Sequence, residues 1–276
     1  IDLTNLMAEE QGLKIDTAKF NELMEQQRQR ARAAQKTVTV LAVDVKLPTT
    51  DDSPKYTGST CDAKVLGWIE QSTFKAQGTI PVDTEVGLVL DKTCFYAESG
   101  GQIGDCGTIQ SASGKFAVED TTKIGDCVVH KGKVAEGILS AGDKVKAIVS
   151  KDRDATRKNH TATHLLQWAL QQVVGKSVAQ QGSLVTPEYL RFDFTCPAAL
   201  ASEQIEKVEE LVRQKIVDDL PVTCPVLPRK EAEKLGAMAL FGEKYGEEVR
   251  VVAIGAENEK HLMQAFSREF CGGTHV

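Results

Sequence analysis

Apolar residues recur at helical spacing in residues 1–36, in two sets separated by a turn signal. The first set ends at Gly12, and the second follows Asp16, a residue type that caps helix N-termini. Leu3, Leu6 and Met7 form the first set, and Phe20, Leu23, Met24 and Gln27 continue the spacing in the second. The pattern predicts two short helices.

The texture changes at residue 37 to short β-rich runs separated by Gly, Asp and Ser turns. These runs are TVTVLAV, CDAKVLGWI, VGLVL, FAVED and KVKAIV. Many short strands without intervening helices are typical of a small barrel or sandwich. We therefore predict a β-rich, barrel-like subdomain over residues 37–153.

Helices and strands alternate in the remainder of the chain. The pattern predicts helices over residues 155–174, 202–218 and 229–235. It predicts strands in YLRFDF, EEVRVVAI and LMQAFSREF, with Leu190, Phe192 and Phe194 on one side of the first. Residues 154–276 are thus expected to form a mixed α+β core, which makes the whole chain an α+β protein.

Composition narrows the function classes. The formal net charge of −6 argues against non-specific coating of nucleic acid, and no apolar run approaches the roughly 18 residues of a membrane span. We expect neither a DNA partner nor a membrane. Seven scattered cysteines, an odd number, do not suggest a disulfide framework, so we expect a cytoplasmic protein. Basic residues near 28–36 and 151–158 are either solvated helix faces or local contacts to RNA.

Two of the five histidines lie four residues apart in HTATH, residues 160–164. On a helix, His160 and His164 share a face with Cβ atoms about 5–6 Å apart, so both imidazoles can reach one metal ion. Two packed or solvated histidines explain the pair equally well. Thr161 replaces the glutamate of the H-E-x-x-H motif, which argues against a zinc protease.

CGGTH, at residues 271–275, supplies a thiol and an imidazole on either side of two glycines. Glycines let the backbone turn tightly enough for Cys271 and His275 to converge. Alone, the segment is a strand end with a buried cysteine. Together, the two spaced pairs predict one zinc site, whereas His130 and His261 have no such partner and are expected to be ordinary surface or strand residues.

Two further segments have open interpretations. YAESGGQIGDCG, residues 96–107, is rich in glycine, but no helix pattern follows it, which argues against a dinucleotide-binding loop. It forms either tight β turns or a loop that a substrate approaches closely. Gln180, in QQGSLV, is either an exposed loop residue or an amide that hydrogen bonds in a pocket.

Taken in order, HTATH, QQGSLV, LRFDF, GAMALFGEKYG and CGGTHV resemble the editing domain of alanyl-tRNA synthetases. YAESGGQIGDCG is similar to the β-rich subdomain of that family, and MEQQRQRARAA resembles the end of its tRNA-recognition region. The resemblance covers essentially the whole chain. Free-standing editing proteins usually lack the helical preface, so we expect a piece of a synthetase whose ATP-dependent aminoacylation domain and C-terminal domain are absent here.

The resemblance also implies a set of site residues. The expected Zn²⁺ ligands are His160, His164, Cys271 and His275. Thr163 and Gln180 match the editing-pocket positions, to which we assign catalysis. We assign substrate binding to Gly100, Gly101, Arg191 and Asp193, the two glycines matching the glycine-rich loop of the family.

The activity implied by the resemblance is hydrolysis of mischarged Ser-tRNA(Ala) and Gly-tRNA(Ala), with the acceptor end of tRNA(Ala) and the rest of the synthetase as partners. An alanine-activating site cannot easily exclude glycine or an added hydroxyl, so a second sieve is needed. Four protein ligands would saturate the zinc, whereas a loose ligand would let it activate water. The alternatives are a zinc-stabilised RNA-binding module without activity, a free-standing deacylase and a zinc hydrolase of small esters or amides.

Overall fold

The structure, a computed structural model, describes Gly12 and residues 16–34, 46–196, 198–239 and 246–276. Residues 1–42 and 43–276 form two separate units. In the first unit, helix α1 spans Thr17–Ala34. The backbone amide of Lys19 donates to Asp16 Oδ1 at 2.8 Å, which confirms the predicted N-cap. The helix predicted before Gly12 and the strand predicted in TVTVLAV lie outside the described residues.

The β-rich part of the second unit forms a closed, antiparallel barrel. Its strands are β1 (Thr60–Glu70), β2 (Thr73–Lys75), β3 (Thr79–Ile80), β4 (Glu85–Leu90), β5 (Gly107–Gln110), β6 (Gly114–Ile124), β7 (Cys127–Gly137), β8 (Leu139–Ser140) and β9 (Lys144–Val149). Strand order is β2-β1-β4-β7-β6-β5-β9, and β9 pairs back with β1. Six strands therefore close the barrel, as the sequence predicts. The short strands β3 and β8 pair separately.

Alternating side chains fill the barrel interior. In β9, Val145, Ala147 and Val149 are buried, whereas Lys144 and Lys146 are exposed. The core also contains Leu88, Phe95, Ile109, Phe116 and Leu139, each of them fully buried. Burying each large apolar side chain contributes about 1.5–3 kcal/mol. The barrel is therefore held mainly by apolar packing.

His130, in β7, is a buried histidine of the barrel. The sequence predicts that His130 is either a surface or a strand residue. It is a strand residue, and the surface position is wrong because the side chain is fully buried. Its Nδ1 lies 3.0 Å from the Leu88 carbonyl and its Nε2 lies 2.7 Å from Thr93 Oγ1. Burial lowers the pKa of His130 to about 4, so the ring is neutral at physiological pH.

The rest of the second unit is a mixed α+β core. It contains α2 (Asp152–Val173), β10 (Gln180–Val185), β11 (Leu190–Phe194), α3 (Ser202–Val217), β12 (Val222–Thr223), β13 (Val226–Pro228), α4 (Arg229–Lys234), β14 (Glu248–Ile254) and β15 (Ser267–Phe270). Strand β14 pairs with β12, β13 and β15, and β10 forms a hairpin with β11. Helix α2 packs against α3, β10, β11 and β15. The predicted α+β class and the three predicted helices are confirmed.

One strand prediction is wrong at its beginning. LMQAFSREF was expected to be extended from Leu262, but residues Glu259–Gln264 form a 3₁₀ turn and the strand starts at Ser267. Leu262 and Ala265 are both buried. Residues three apart lie on the same side of a 3₁₀ turn, so the turn buries both side chains without a strand. Residues 240–245 of GAMALFGEKYG lie outside the described part of the chain.

The glycine-rich segment joins the barrel to the α+β core. The Gly101 carbonyl accepts from the Val185 amide at 2.7 Å, and the Ile103 amide donates to the Val185 carbonyl at 3.2 Å. The segment is therefore fixed along the end of β10. A strand rather than a helix follows it, as predicted. Among the described helices, none is long and apolar enough to cross a membrane.

Candidate metal centre

Helix α2 places its two histidines side by side in the core. The imidazole centroids of His160 and His164 are 5.8 Å apart, and the rings are nearly parallel at 10°. Both side chains are buried because they share the inward face of the helix with Leu165, Ala169 and Leu170. The predicted spacing of four residues therefore brings both rings to one side of α2.

The CGGTH segment brings the other two candidate ligands to the same place. Strand β15 ends at Phe270, and the Cys271 amide donates to the Arg250 carbonyl on β14 at 3.1 Å. Cys271 Sγ lies 3.5 Å from His160 Nε2 and 3.4 Å from His275 Nε2. The ligand atoms of His160, His164, Cys271 and His275 all lie within 4.8 Å of one another, in a buried group that could hold a metal ion.

A polar partner beyond each imidazole fixes its orientation. His160 Nδ1 lies 2.7 Å from Gln102 Oε1, and His164 Nδ1 lies 2.9 Å from Glu269 Oε2. His275 Nδ1 lies 3.3 Å from Thr161 Oγ1. Such partners are the usual way in which proteins orient histidine ligands.

These partners also select the tautomer. The Gln102 oxygen can only accept, so His160 donates through Nδ1 and keeps a lone pair on Nε2. His164 Nδ1 lies beside the Glu269 carboxylate as an ion pair, without the geometry of a hydrogen bond. Thr161 donates its one hydroxyl proton to the Arg157 carbonyl at 3.1 Å, so it accepts from His275 Nδ1. The Nε2 atoms of His160 and His275 are thereby left able to bind a metal.

The donor set fits a metal such as zinc. Imidazole nitrogens and thiolates are the ligand types that Zn²⁺ prefers, and four of them suit its tetrahedral geometry. Within the described residues, neither ring nitrogen of buried His164 makes a hydrogen bond of normal geometry; Nδ1 lies beside the Glu269 carboxylate, and Nε2 has no partner. A buried nitrogen without a partner is costly, and a metal ion at the centre of the group would satisfy it.

Electrostatics favour a thiolate in this group. Burial raises the pKa of the Cys271 thiol, but the neighbouring imidazoles, with His275 first among them, place that pKa well below its usual range. The Gly273 amide also donates to Cys271 Sγ at 3.4 Å. Burial lowers the pKa of His164, but the Glu269 carboxylate outweighs it and raises that pKa to about 10. A bound metal would therefore displace a proton from His164.

Side chains from other elements hold the CGGTHV backbone. Arg250 donates to the carbonyls of Cys271 and Gly273 at 2.9 and 2.8 Å. Arg157 Nε donates to the His275 carbonyl at 2.8 Å, and Tyr56 donates its hydroxyl to the Gly272 carbonyl at 2.8 Å. The loop is therefore fixed by the barrel side, α2 and β14 together.

Gly273 and Gln102 complete this packing. A Cβ atom at Gly273 would lie 2.0 Å from Cε1 of His160, so only glycine fits there. Gln102 is fully buried, and its amide bonds both Thr274 and His160: Oε1 accepts from the Thr274 amide at 3.0 Å, and Nε2 donates to Thr274 Oγ1 at 2.9 Å. Gln102 thus connects the glycine-rich segment, α2 and the CGGTHV loop.

The other predicted site residues are placed differently. Thr163 is buried on α2 and donates its hydroxyl to the His160 carbonyl at 2.7 Å. Gln180 is the half-buried first residue of β10. Gly100 and Gly101 have φ angles of 57° and 84°, in the left-handed region that favours glycine. Their predicted roles in catalysis and substrate binding remain predictions.

Arg191 and Asp193 lie on the exposed face of β11, opposite Leu190, Phe192 and Phe194. Arg191 Nε donates to Asp193 Oδ2 at 3.2 Å, and both side chains are about half exposed. In the described part of the chain, no hydrogen bond or ion pair links them to the four candidate ligands. Their predicted role in substrate binding stays a prediction.

Sequence reasoning missed the residues that orient the imidazoles. Gln102 follows the two glycines directly, and Thr161 was noted only because it replaces a glutamate. Glu269 carried a usable signal, since it alternates with Ser267 and Cys271 along one face of β15 and is only 1% exposed. A carboxylate on the buried face of a strand indicates a buried partner.

Comparison with known proteins gives consistent relatives. The family model of tRNA synthetases class II (A) matches residues 1–153. Alanine–tRNA ligase of Thermus thermophilus is 45% identical over all of this chain and 32% of its own length. The enzymes named alanine–tRNA ligase from Dichelobacter nodosus and Methylococcus capsulatus are 44% and 43% identical, again over the whole chain.

The chain spans about a third of the length of these relatives. It aligns with them from end to end, and the family model covers more than half of it. The resemblance to alanyl-tRNA synthetases is therefore confirmed. The chain belongs to the family of class II (A) tRNA synthetases.

Proposed function

We propose that this chain carries the editing site of an alanine–tRNA ligase and hydrolyses the ester that joins serine or glycine to tRNA(Ala). The observation that supports this proposal best is the buried group of His160, His164, Cys271 and His275, in a chain that is similar over its whole length to alanine–tRNA ligases. Ligation of alanine to tRNA with ATP is the activity we propose for the longer parent protein.

The selectivity problem explains why such an enzyme needs a hydrolytic site. Glycine is smaller than alanine, and a pocket rejects one missing methyl group or one added hydroxyl by a factor of only about 10–200. Hydrolysis of the wrong ester supplies the remaining discrimination. Ester hydrolysis needs a positioned water molecule and stabilisation of the tetrahedral oxyanion. It does not need a covalent nucleophile from the protein.

The site residues would share this work. Zn²⁺, when bound by the three imidazoles and the thiolate, would polarise a nearby oxygen or order the pocket. Thr163 donates its only hydroxyl proton to the His160 carbonyl, so it can offer a substrate only acceptor lone pairs. It is therefore suited to accept the hydroxyl proton of a seryl group. We assign Gln180, whose amide both donates and accepts, to the attacking water or the same hydroxyl.

A second function is favoured by one specific observation. All four candidate ligands are protein side chains, and each imidazole has an outer partner, which is typical of a closed structural zinc site. In that case the chain would be an RNA-binding module whose zinc only stabilises the fold. The two functions differ in whether the bound ester is hydrolysed.

The test is deacylation by the purified chain of tRNA(Ala) charged with serine, glycine or alanine, with zinc measured on the same sample. We expect about one zinc per chain and faster hydrolysis of the seryl and glycyl esters than of the alanyl ester. Cys271→Ala should abolish both zinc and hydrolysis. Cys224→Ala is the matched control, because Cys224 packs in the same apolar cluster and is not one of the candidate ligands. A zinc-loaded chain that binds tRNA without hydrolysing any ester would support the structural module.

A further inference from the structure

A cavity of about 300 Å³ adjoins the candidate metal centre. It lies between the 3₁₀ turn Ser53–Tyr56, the first two turns of α2 and the CGGTHV loop. Thr274 and His275 form part of its wall, so the cavity and the buried ligand group share residues. We call it the basic cavity, because Lys55, Arg153, Arg157 and Arg250 line it and Asp154 is the one carboxylate among its lining residues.

Two of these four cations have a carboxylate partner nearby. Arg153 is buried and forms an ion pair with buried Asp105, so it acts in the fold. Lys55 Nζ lies 2.7 Å from Asp52 Oδ2, at the edge of the cavity. The positive charge of Lys55 is thus partly compensated, and Lys55 remains one of the lining residues.

The remaining two cations are bound mainly to neutral acceptors. Arg250 donates to two backbone carbonyls, and in the described residues no carboxylate lies within 4.0 Å of its guanidinium. Arg157 donates to the His275 carbonyl, and its nearest carboxylate, the largely exposed Asp154, lies 3.8 Å away. Carbonyl dipoles do not cancel a full charge, so the wall beside the metal centre keeps an excess of positive charge.

This local excess stands out in a chain whose net charge is −6. Non-specific binding to nucleic acid is disfavoured overall, so the cavity is suited to one anionic group at one place. Arginine and lysine side chains are the residues that bind phosphate oxygens. An aminoacyl ester at the end of an RNA has its nearest phosphate one ribose away, which matches a phosphate site adjoining a site for the ester.

We propose that the basic cavity binds the last phosphodiester of the RNA, next to the ribose that carries the aminoacyl ester. This inference rests on the proposed function. Lys55, Arg157 and Arg250 would supply the charge, and the terminal ribose would lie between this phosphate and the buried ligand group. The ester is thereby held at the metal centre through a contact that does not depend on the amino acid.

The test uses a short uncharged RNA with a single-stranded 3′ end, and the same RNA with a neutral methylphosphonate at its last linkage. Lys55→Met is compared with Lys123→Met, because both lysines pair with Asp52, at 2.7 and 3.4 Å, and only Lys55 lines the cavity. Affinity is measured by titration over a range of salt concentrations, and zinc content is checked in each variant.

We expect Lys55→Met to weaken binding about tenfold, the effect of losing one charge-assisted hydrogen bond. Its salt slope should fall by roughly 0.7, the value for one contact to a single strand. Lys123→Met and Lys55→Arg should bind normally. The unaltered chain should bind the methylphosphonate RNA about tenfold more weakly than it binds the normal RNA. Lys55→Met and the unaltered chain should bind the methylphosphonate RNA with equal affinity.

Equal affinities for the two RNAs would overturn the proposal, even if Lys55→Met failed to fold. Equal losses in Lys55→Met and Lys123→Met would do the same. Competition by millimolar inorganic phosphate without any methylphosphonate effect would assign the cavity to free phosphate instead. Because the RNA is uncharged, failure here leaves the deacylation assay unaffected. Normal deacylation together with equal affinities for the two RNAs would reject the phosphate site and keep the proposed function. No deacylation together with a tenfold difference between the two RNAs would keep the phosphate site and reject the proposed function.

Discussion

The barrel and the α+β core use their buried positions in opposite ways. The barrel interior is apolar, with Leu88, Phe95, Ile109 and Phe116 fully buried. The α+β core instead buries a group of three histidines and a cysteine, together with Glu269. Apolar burial stabilises without a partner, whereas each buried polar group must be paired. We therefore expect metal removal to affect the core around the site more than the barrel.

Removal of a candidate ligand should break this comparison most strongly. His164→Ala leaves the Glu269 carboxylate buried without its partner, which costs about 3–5 kcal/mol. We expect zinc loss in both His164→Ala and Cys271→Ala by elemental analysis. Amide hydrogen exchange should increase in α2 and β15 and stay slow in the barrel strands. Full stoichiometric zinc in both variants would contradict the four-ligand assignment.

His130 is a titratable group buried in the barrel, and acid should reveal its effect. The pKa of His130 is about 4 in the folded chain and about 6.5 when unfolded, so below pH 6.5 the unfolded chain binds a proton that the folded chain does not. The contribution of neutral His130 to the free energy of unfolding is therefore fully present above pH 6.5. It is lost as the pH falls towards 4, which lowers that free energy by roughly 3 kcal/mol.

His130→Gln removes this titration and keeps hydrogen-bonding groups. Urea unfolding from pH 7 to 4.5, with a chelator in every sample, should show a smaller loss for His130→Gln than for the unaltered chain. His261→Gln is the control, because His261 lies outside the barrel and is partly exposed. Parallel pH profiles for His130→Gln and the unaltered chain would refute the neutral, buried state.

The sequence predicts features that depend on neighbouring residues better than features that depend on residues far apart in the chain. The strand KVKAIV and the helix from Ser202 are predicted almost to the residue, because alternation and helical spacing are local patterns. The two ligand pairs are local as well, at spacings of four. Their convergence is not, since Cys271 and His160 are 111 residues apart and meet only through the sheet and α2.

The polar residues around the ligands were not predicted for the same reason. Gln102 bonds His160, which lies 58 residues further on, and nothing near Gln102 in the sequence indicates that contact. Arg191 and Asp193 are also not linked to the ligands by any local pattern; they lie on the exposed face of β11, and their role in substrate binding stays a prediction. Local patterns therefore predict elements and candidate ligands, and tertiary packing decides which polar residues join them.

Gly273 offers a sharper test of the packed site. Gly273→Ala puts a Cβ atom within 2.0 Å of the His160 ring, so the ring must move and zinc affinity should fall about 10–100-fold. Gly272→Ala is the matched control, because a Cβ atom there meets nothing within 4 Å. Competition with a chelating dye measures both affinities. Equal zinc affinities in the two variants would show that the loop relaxes and that Gly273 does not constrain His160.

Gln102 tests whether orientation of one imidazole matters. Gln102→Leu removes the acceptor of His160 Nδ1 and should lower zinc affinity about 10–100-fold, with the lower end expected because three ligands stay fixed. Gln167→Leu is the control, since Gln167 is also a buried glutamine and bonds only the Val178 carbonyl at 2.9 Å. Both variants should lose stability, and only Gln102→Leu should lose zinc affinity. A similar affinity loss in both would assign Gln102 a purely structural role.

The smallest expected effect concerns the choice between serine and alanine at the site. The two esters differ by one hydroxyl, and a group that accepts its proton is left unpaired when alanine occupies the pocket. Thr163 is the candidate acceptor, because its own proton is already donated to the His160 carbonyl.

Thr163→Val keeps the shape of the side chain and removes that acceptor, and Gln180→Ala removes the second proposed group. We expect each to lower the ratio of seryl to alanyl ester hydrolysis, by about 5–20-fold for one hydrogen bond, with zinc content unchanged. Equal slowing of all esters would assign both residues to general positioning, and unchanged rates for both variants would exclude them from the proposed mechanism.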